Sequence, residues 1–304
     1  MTAVFIDSSM PEDERRARLF TGDVFVFSAS PAVHALVDFA RGMIEEAFGG
    51  LDPRTAQYTL PVEDYAALLA KLKPEFIHHP RSKECIAEIL AAHGADVSST
   101  YFDVPRMRSS TSDDYLTSGI AYAFHPHRDT WYSAPMMQLN WWMPIYEVEP
   151  RNVMAFHPRY FDQPVANGSA TYNYYEWNRT SRADAARHLT KDTREQPKPE
   201  QPVELHPQIR VIPPVGGFML FSGAQFHSSV PNDSGRTRFS IDFRTVQIDD
   251  VTAHRGAPNV DSSCTGTTMR DYLRASDLQP LPEDLVAQYD SGPPAAVSDL
   301  VYRP

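Results

Sequence analysis

Up to about residue 100 apolar residues recur mostly at helical spacing; beyond it they recur mostly at alternate positions. Thr21 to Ser28 predicts a short strand around Val24 and Val26. Val33, Leu36, Val37, Ala40, Met43 and Ala47 then share one helical face, with Ser30 as cap, Pro31 in the first turn and Gly49 at the end. Residues 62–72 predict a second helix, stopped by Pro74, and 83–93 a third, from Ser82 to Gly94. Ile120 to Asp129, Met136 to Tyr146, 205–213, 217–222 and 237–248 predict strands. In the last of these Phe239, Ile241 and Phe243 alternate with Arg238, Ser240, Asp242 and Arg244.

Helices followed by antiparallel strands predict an α+β fold with a mainly β core. The expected architecture is a double-stranded β-helix, or jelly roll, flanked by N-terminal helices. A single domain is expected over 1–304: a mostly helical part to 100, a core over 101–248, and a tail over 249–304 with one helical stretch near 282–289. The core is interrupted by a polar insert, 158–204, containing the aromatic run Tyr172 to Arg179. Inserts of that length are usually functional or mobile.

Composition narrows the classes. Hydrophobic residues make up 42% of the 304, enough for a substantial core. A net charge of −11 argues against a general nucleic-acid binder, which shows a basic stripe, while leaving room for a local basic pocket. Cys85 and Cys264 make no disulfide framework. The first twenty residues lack a secretory pattern and no 18-residue apolar run occurs, so a soluble cytoplasmic protein is expected, with no membrane partner.

The candidate chemistry lies in two segments, His125 to Trp131 and Gly216 to His227. Residues i and i+2 of a strand share a face, so His127 and Asp129 would project an imidazole and a carboxylate side by side. His227, after an apolar strand, is the candidate third ligand. Two histidines and one carboxylate on one side of a metal leave open positions opposite, as in non-haem Fe(II) oxygenases. Taken alone, H-x-D also suits a hydrogen-bonded pair at a strand end. Arg238 follows His227 by eleven residues, with Ser240 on the same face. A guanidinium and a neighbouring hydroxyl grip a carboxylate well. The other reading pairs Arg238 with an acidic residue on a solvated strand face.

With His127-x-Asp129, Gly216 to Phe221 leading to His227, Pro231-Asn232 and Arg238-x-Ser240 in place, the chain resembles the Fe(II)/2-oxoglutarate-dependent dioxygenases. Its layout is most similar to their phytanoyl-CoA dioxygenase-like branch. The resemblance covers about 118–248. It implies a catalytic domain in which His127, Asp129 and His227 bind Fe(II). It also implies that Arg238 and Ser240 bind the distal carboxylate of 2-oxoglutarate. The implied reaction is O2-dependent hydroxylation, or other oxidation, of an unactivated C–H in a small molecule, with succinate and CO2 as co-products. The carboxylate at position 129 takes the place of the small residue of related halogenases, which argues against halogenation.

Alternatives stay open at this stage. His125 extends the motif to H-x-H-x-D, so a cupin-like site of His125, His127 and His227 in an enzyme not using 2-oxoglutarate remains. Otherwise His125 is expected behind the ligands or against the substrate. Strand parity puts Gln138, Asn140 and Trp142 on one face, where the amides would bond the 2-oxoglutarate carboxylates; the other reading turns that face to water. Arg106, Arg108, Trp142 and Tyr175 are candidates for substrate contact.

Overall fold

A computed structural model describes residues 2–117, 119–121, 124–181, 187–188, 192 and 194–292. Short elements open the chain: β1 (Val4–Ile6), α1 (Glu12–Leu19) and β2 (Val24–Phe27). Helix α2 (Pro31–Ala47) starts where its apolar face begins, with Ser30 Oγ accepting from Val33 N–H.

Helix α3 (Val62–His78) runs through Pro74, where the sequence predicted its end. Pro74 is exposed, while Leu69, Leu72 and Phe76 are buried at helical spacing. Burying an aromatic ring contributes about 1.5–3 kcal/mol, enough to offset much of the ~3 kcal/mol that an interior proline costs. Helix α4 (Pro80–Ala92) starts earlier than expected, because the His79 ring caps it by accepting from Arg81 N–H (3.0 Å). Ser82 is buried instead and donates to Phe76 O (2.7 Å).

The strands that follow are β3 (Thr100–Phe102), β4 (Arg106–Ser110), β5 (Leu139–Pro144) and β6 (Met154–Phe156). Helix α5 (Tyr174–Thr180) lies in the insert. Then come β7 (Ile209–Arg210), β8 (Phe218–Ser222), β9 (His227–Ser229) and β10 (Arg238–Gln247). The tail supplies α6 (Ile248–Thr252), β11 (Leu273–Arg274) and α7 (Glu283–Val286).

The strand expected over 120–129 lies partly outside the described residues, at 122 and 123. Where described, only His127 forms a β-bridge, and Asp129–Tyr132 forms a 3-10 turn. Pro126 has no N–H to offer a ladder, so the pleat breaks there. The strand expected over 205–213 shrinks to β7, hemmed in by Pro207, Pro213 and Pro214.

Two sheets result. The larger runs β1-β2-β8-β5-β10-β3-β11, with β4 also on β10; the smaller runs β7-β6-β9. The long β10 pairs antiparallel with β5, setting Asp242 opposite Trp142 and Arg244 opposite Asn140. On its other side β4 sets Arg108 opposite Ser240 and Arg106 opposite Asp242. One face of the large sheet carries Trp141, Met143, Phe218, Leu220, Phe239, Ile241 and Phe243, which form one core with the apolar faces of α2, α3 and α4. On the opposite face Trp142, Met219 and Phe221 meet Met154 and Phe156 of the small sheet. The polar residues of that face line the space beside this cluster. Among the described residues no helix is long and apolar enough to cross a membrane.

Candidate metal centre

His127 and His227 stand opposite each other as a hydrogen-bonded antiparallel pair, each N–H donating to the other's carbonyl at 2.9 Å. Each ring is fixed from behind. His127 Nδ1 donates to His125 O and His227 Nδ1 to Gln225 O, both at 2.9 Å. A carbonyl only accepts, so the proton sits on Nδ1 and the lone pair is on Nε2. Both Nε2 atoms face Asp129 Oδ1, at 3.4 and 3.8 Å.

The break in the pleat serves Asp129. Its N–H donates to Gly223 O (2.9 Å), and the turn that follows swings the carboxylate towards the two rings. Its outer oxygen, Oδ2, accepts from Gln138 Nε2 (3.0 Å) and Asn140 Nδ2 (2.8 Å), with Arg244 Nε at 3.7 Å. Gln138 is held in turn by the Tyr272 hydroxyl, which donates to Oε1 (2.8 Å). Gly223 gives Gln138 room, since a Cβ at 223 would lie 3.1 Å from Gln138 Nε2.

Burial works against the Asp129 charge, yet the proximity of the His127 and His227 rings and the Asn140 amide hold its carboxyl low, at about 2. Burial pushes His127 down, and burial with the neighbouring His127 pushes His227 down to about 4. Near neutrality the trio is therefore two neutral imidazoles and one carboxylate, the protonation states that metal ligands need. Their ligand atoms all lie within 4.8 Å of one another. Ligands about 2.1 Å from one ion at right angles stand about 3 Å apart, so the trio suits a single ion with small adjustments.

The cluster opens onto a cavity of about 680 Å³, lined among others by Asn140, Trp142, Arg238, Asp242 and Arg244. Arg238 is buried there. Its Nη1 donates to Asn152 O (3.1 Å), and its guanidinium lies 5.8 Å from the Trp142 ring centre. Neither its Nε nor the buried Ser240 hydroxyl has a partner, and among the described residues no carboxylate lies within ion-pair distance of Arg238. Burial lowers this guanidinium to about 10. A buried cation with incomplete hydrogen bonding is costly, and an anionic ligand would complete it.

The other expected residues divide. Arg106, Arg108 and Trp142 line the cavity; Arg106 pairs with Asp103 (2.6 Å) and Arg108 with Asp242 (2.7 Å). Gln138 and Asn140 also line it, but the amide donors expected on 2-oxoglutarate are engaged by Asp129. His125 is not among the lining residues. Beyond Pro126 its ring turns away, and Nε2 meets Tyr132 OH (3.1 Å) and Pro197 O (2.8 Å), tying the insert to the ligand segment. That position keeps it out of the ligand trio. Tyr175 is also absent from the cavity wall. Its hydroxyl lies between Asp290 and Arg270, whereas Tyr174 and Trp177 line the wall in its place.

The sequence reading missed Arg244, Tyr272, Asp103 and Lys73 as part of this region. Arg244 was within reach, since it shares strand parity with Arg238 and Ser240. Tyr272 arrives from the tail and Lys73 from α3, with no local motif to mark either.

No protein-family model matches this sequence, and no curated protein matches it. Solved structures give distant likenesses. EvdO2 from Micromonospora carbonacea var. aurantiaca is 11% identical, over 80% of this chain and 93% of that one, with a TM-score of 0.45. ThoJ, a non-heme monooxygenase, is 13% identical over 83% and 80%, with a TM-score of 0.41. The epimerase SnoN, in complex with Fe3+, alpha ketoglutarate and nogalamycin RO, is 16% identical over 78% and 85%, with a TM-score of 0.37. Likeness this remote says nothing by itself of the chemistry of this chain.

Proposed function

We propose that the protein is an Fe(II)- and 2-oxoglutarate-dependent oxygenase that hydroxylates, or otherwise oxidises, a C–H bond of a small molecule. One observation carries this reading. A His-Asp-His trio with fixed rings and the buried, incompletely bonded Arg238 share one cavity. In this reading the two facing sheets are those of a double-stranded β-helix, and the order of the His127, Asp129, His227 and Arg238 motifs along the chain is what favours the phytanoyl-CoA dioxygenase-like branch.

His127 Nε2, His227 Nε2 and Asp129 Oδ1 would hold the ion. The chemistry that a bound ferrous ion supplies is reduction of O2 coupled to oxidative decarboxylation of 2-oxoglutarate, to succinate and CO2, and to oxidation of the substrate C–H. Asn140 and Gln138 keep Asp129 turned so that Oδ1 faces the ion. Such outer partners usually affect metal affinity 10- to 100-fold (an order-of-magnitude figure). Arg238, with the Ser240 hydroxyl, grips the far carboxylate of 2-oxoglutarate and so fixes its reach to the metal. Trp142, Phe221 and Met154 line the cavity with apolar surface and keep water out.

The test supplies Fe(II), ascorbate, O2 and 2-oxoglutarate and follows succinate. The reading expects metal-dependent succinate that rises with a true substrate and is lost in Arg238→Ala. Metal-dependent turnover of a substrate that ignores both 2-oxoglutarate and Arg238→Ala would instead support the cupin-like alternative.

A further inference from the structure

Three cations crowd one flank of the cavity. Arg238 and Arg108 project from β10 and β4 on the same face, and Lys73 enters from α3. Arg108 stands close enough to both others to depress their charged forms. The carboxylate that offsets Lys73 and Arg238 is Asp242 in each case. Asp242 is already engaged, with Arg108 at 2.7 Å and Arg244 at 3.2 Å. The Lys73 ammonium itself donates to Ile120 O, and among the described residues no carboxylate lies within ion-pair distance of it.

The charge count decides between classes of substrate. Over the whole wall, Lys73, Arg106, Arg108, Arg238 and Arg244 face the two carboxylates Asp103 and Asp242, while Arg194 pairs with Asp192. The distal carboxylate of 2-oxoglutarate offsets one more of the five charges, which leaves two facing the cavity. A ferrous ion with the remainder of 2-oxoglutarate and Asp129 adds no net negative charge, since two positive charges meet two negative ones. The surplus sits in a wall that also carries aromatic side chains, Trp142 and Trp177 among them. Resting on the oxygenase reading for the role of Arg238, we infer that the substrate is an organic anion, a carboxylate or phosphate ester on an apolar body, whose charged group is received by Lys73 and Arg108. Without such a group burial and Arg108 drive the Lys73 ammonium down to about 7, so an anion in place restores the charge that the cavity otherwise suppresses.

The experiment uses the full chain loaded with Mn(II) and saturating 2-oxoglutarate, so that Arg238 is occupied. Matched probes are titrated calorimetrically: indole-3-acetate against indole-3-acetamide, and phenyl phosphate against phenol. The expected result is binding of the anions about tenfold tighter or more than their neutral partners, as a charged hydrogen bond confers. That preference falls to near parity in Lys73→Met and is retained in Lys73→Arg, which also controls for misfolding. Equal binding of the members of each pair, or no binding of any anion, overturns the inference. So does a Lys73→Met defect that falls on 2-oxoglutarate affinity and spares the anions. Failure of the oxygenase reading shows separately, as absence of 2-oxoglutarate binding in the loading step.

Discussion

His127 and His227, a hundred residues apart in sequence, exchange both of their backbone hydrogen bonds. A pair of this kind holds its Cα atoms about 5.5 Å apart. The distance between the two ligand rings is thus set by main chain, before any ion binds. The site is organised in advance, and an added ion stabilises the native state by mass action. At an ion concentration about 100-fold above Kd the gain is about 2.7 kcal/mol. A thermal melt with Mn(II) or Co(II) should therefore shift upward by several degrees in the native protein and stay put in His227→Ala.

Asn140 and Gln138 act on the metal through Asp129. Asn140→Ala should weaken metal binding about 10- to 100-fold while leaving the fold in place, as equilibrium dialysis with Co(II) would read. Gly223→Ala should act in the same direction without touching a ligand, because the new methyl crowds Gln138 Nε2 at 3.1 Å. Tyr272→Phe removes the bond to Gln138 Oε1 and should cost less than either.

Arg238 makes the protein less stable while it waits for its ligand. Arg238→Met should raise the stability of the ligand-free protein by about 1–3 kcal/mol, since it removes a buried donor without a partner. The same substitution should abolish the stabilisation that 2-oxoglutarate confers on the native protein. Denaturant titrations with and without 2-oxoglutarate check both effects, and opposite signs in the two arms would be hard to obtain from a merely structural arginine.

Lys73 supplies a pH signature. Its ammonium falls to about 7 in the folded protein from an ordinary value of 10.5. Between those values the unfolded chain binds more protons than the native one, so this group makes stability rise with pH. The contribution is complete above about 10.4 and absent below about 7. Chemical denaturation of native protein and Lys73→Met across pH 7 to 9 should show a rise in the native protein that the variant lacks. Parallel curves would place the ammonium in water.

Part of the arrangement around this cavity was legible in the sequence. Strand parity put Arg238, Ser240, Asp242 and Arg244 on one face, and the structure has them there because the other face packs against α2 to α4. Parity failed at His125, where Pro126 interrupts the pleat; Tyr175, expected against the substrate from the aromatic run alone, sits in a helix where the neighbouring Tyr174 and Trp177 line the cavity. The Asp129 contacts of Gln138 and Asn140 were not legible, because periodicity reports a face and says nothing of which polar atom is nearest. Pro74 does not end α3 because local propensity yields there to the burial of Phe76. Tyr272 and Lys73 arrive from distant segments, and only the folded chain brings them to the cavity.

Calorimetric titration of 2-oxoglutarate into the protein under nitrogen, with and without Fe(II), tests the central claim most directly. The account predicts one 2-oxoglutarate per chain when iron is present, with binding lost in Asp129→Ala and in Arg238→Ala. Binding that is the same without iron, or that survives both substitutions, would contradict it.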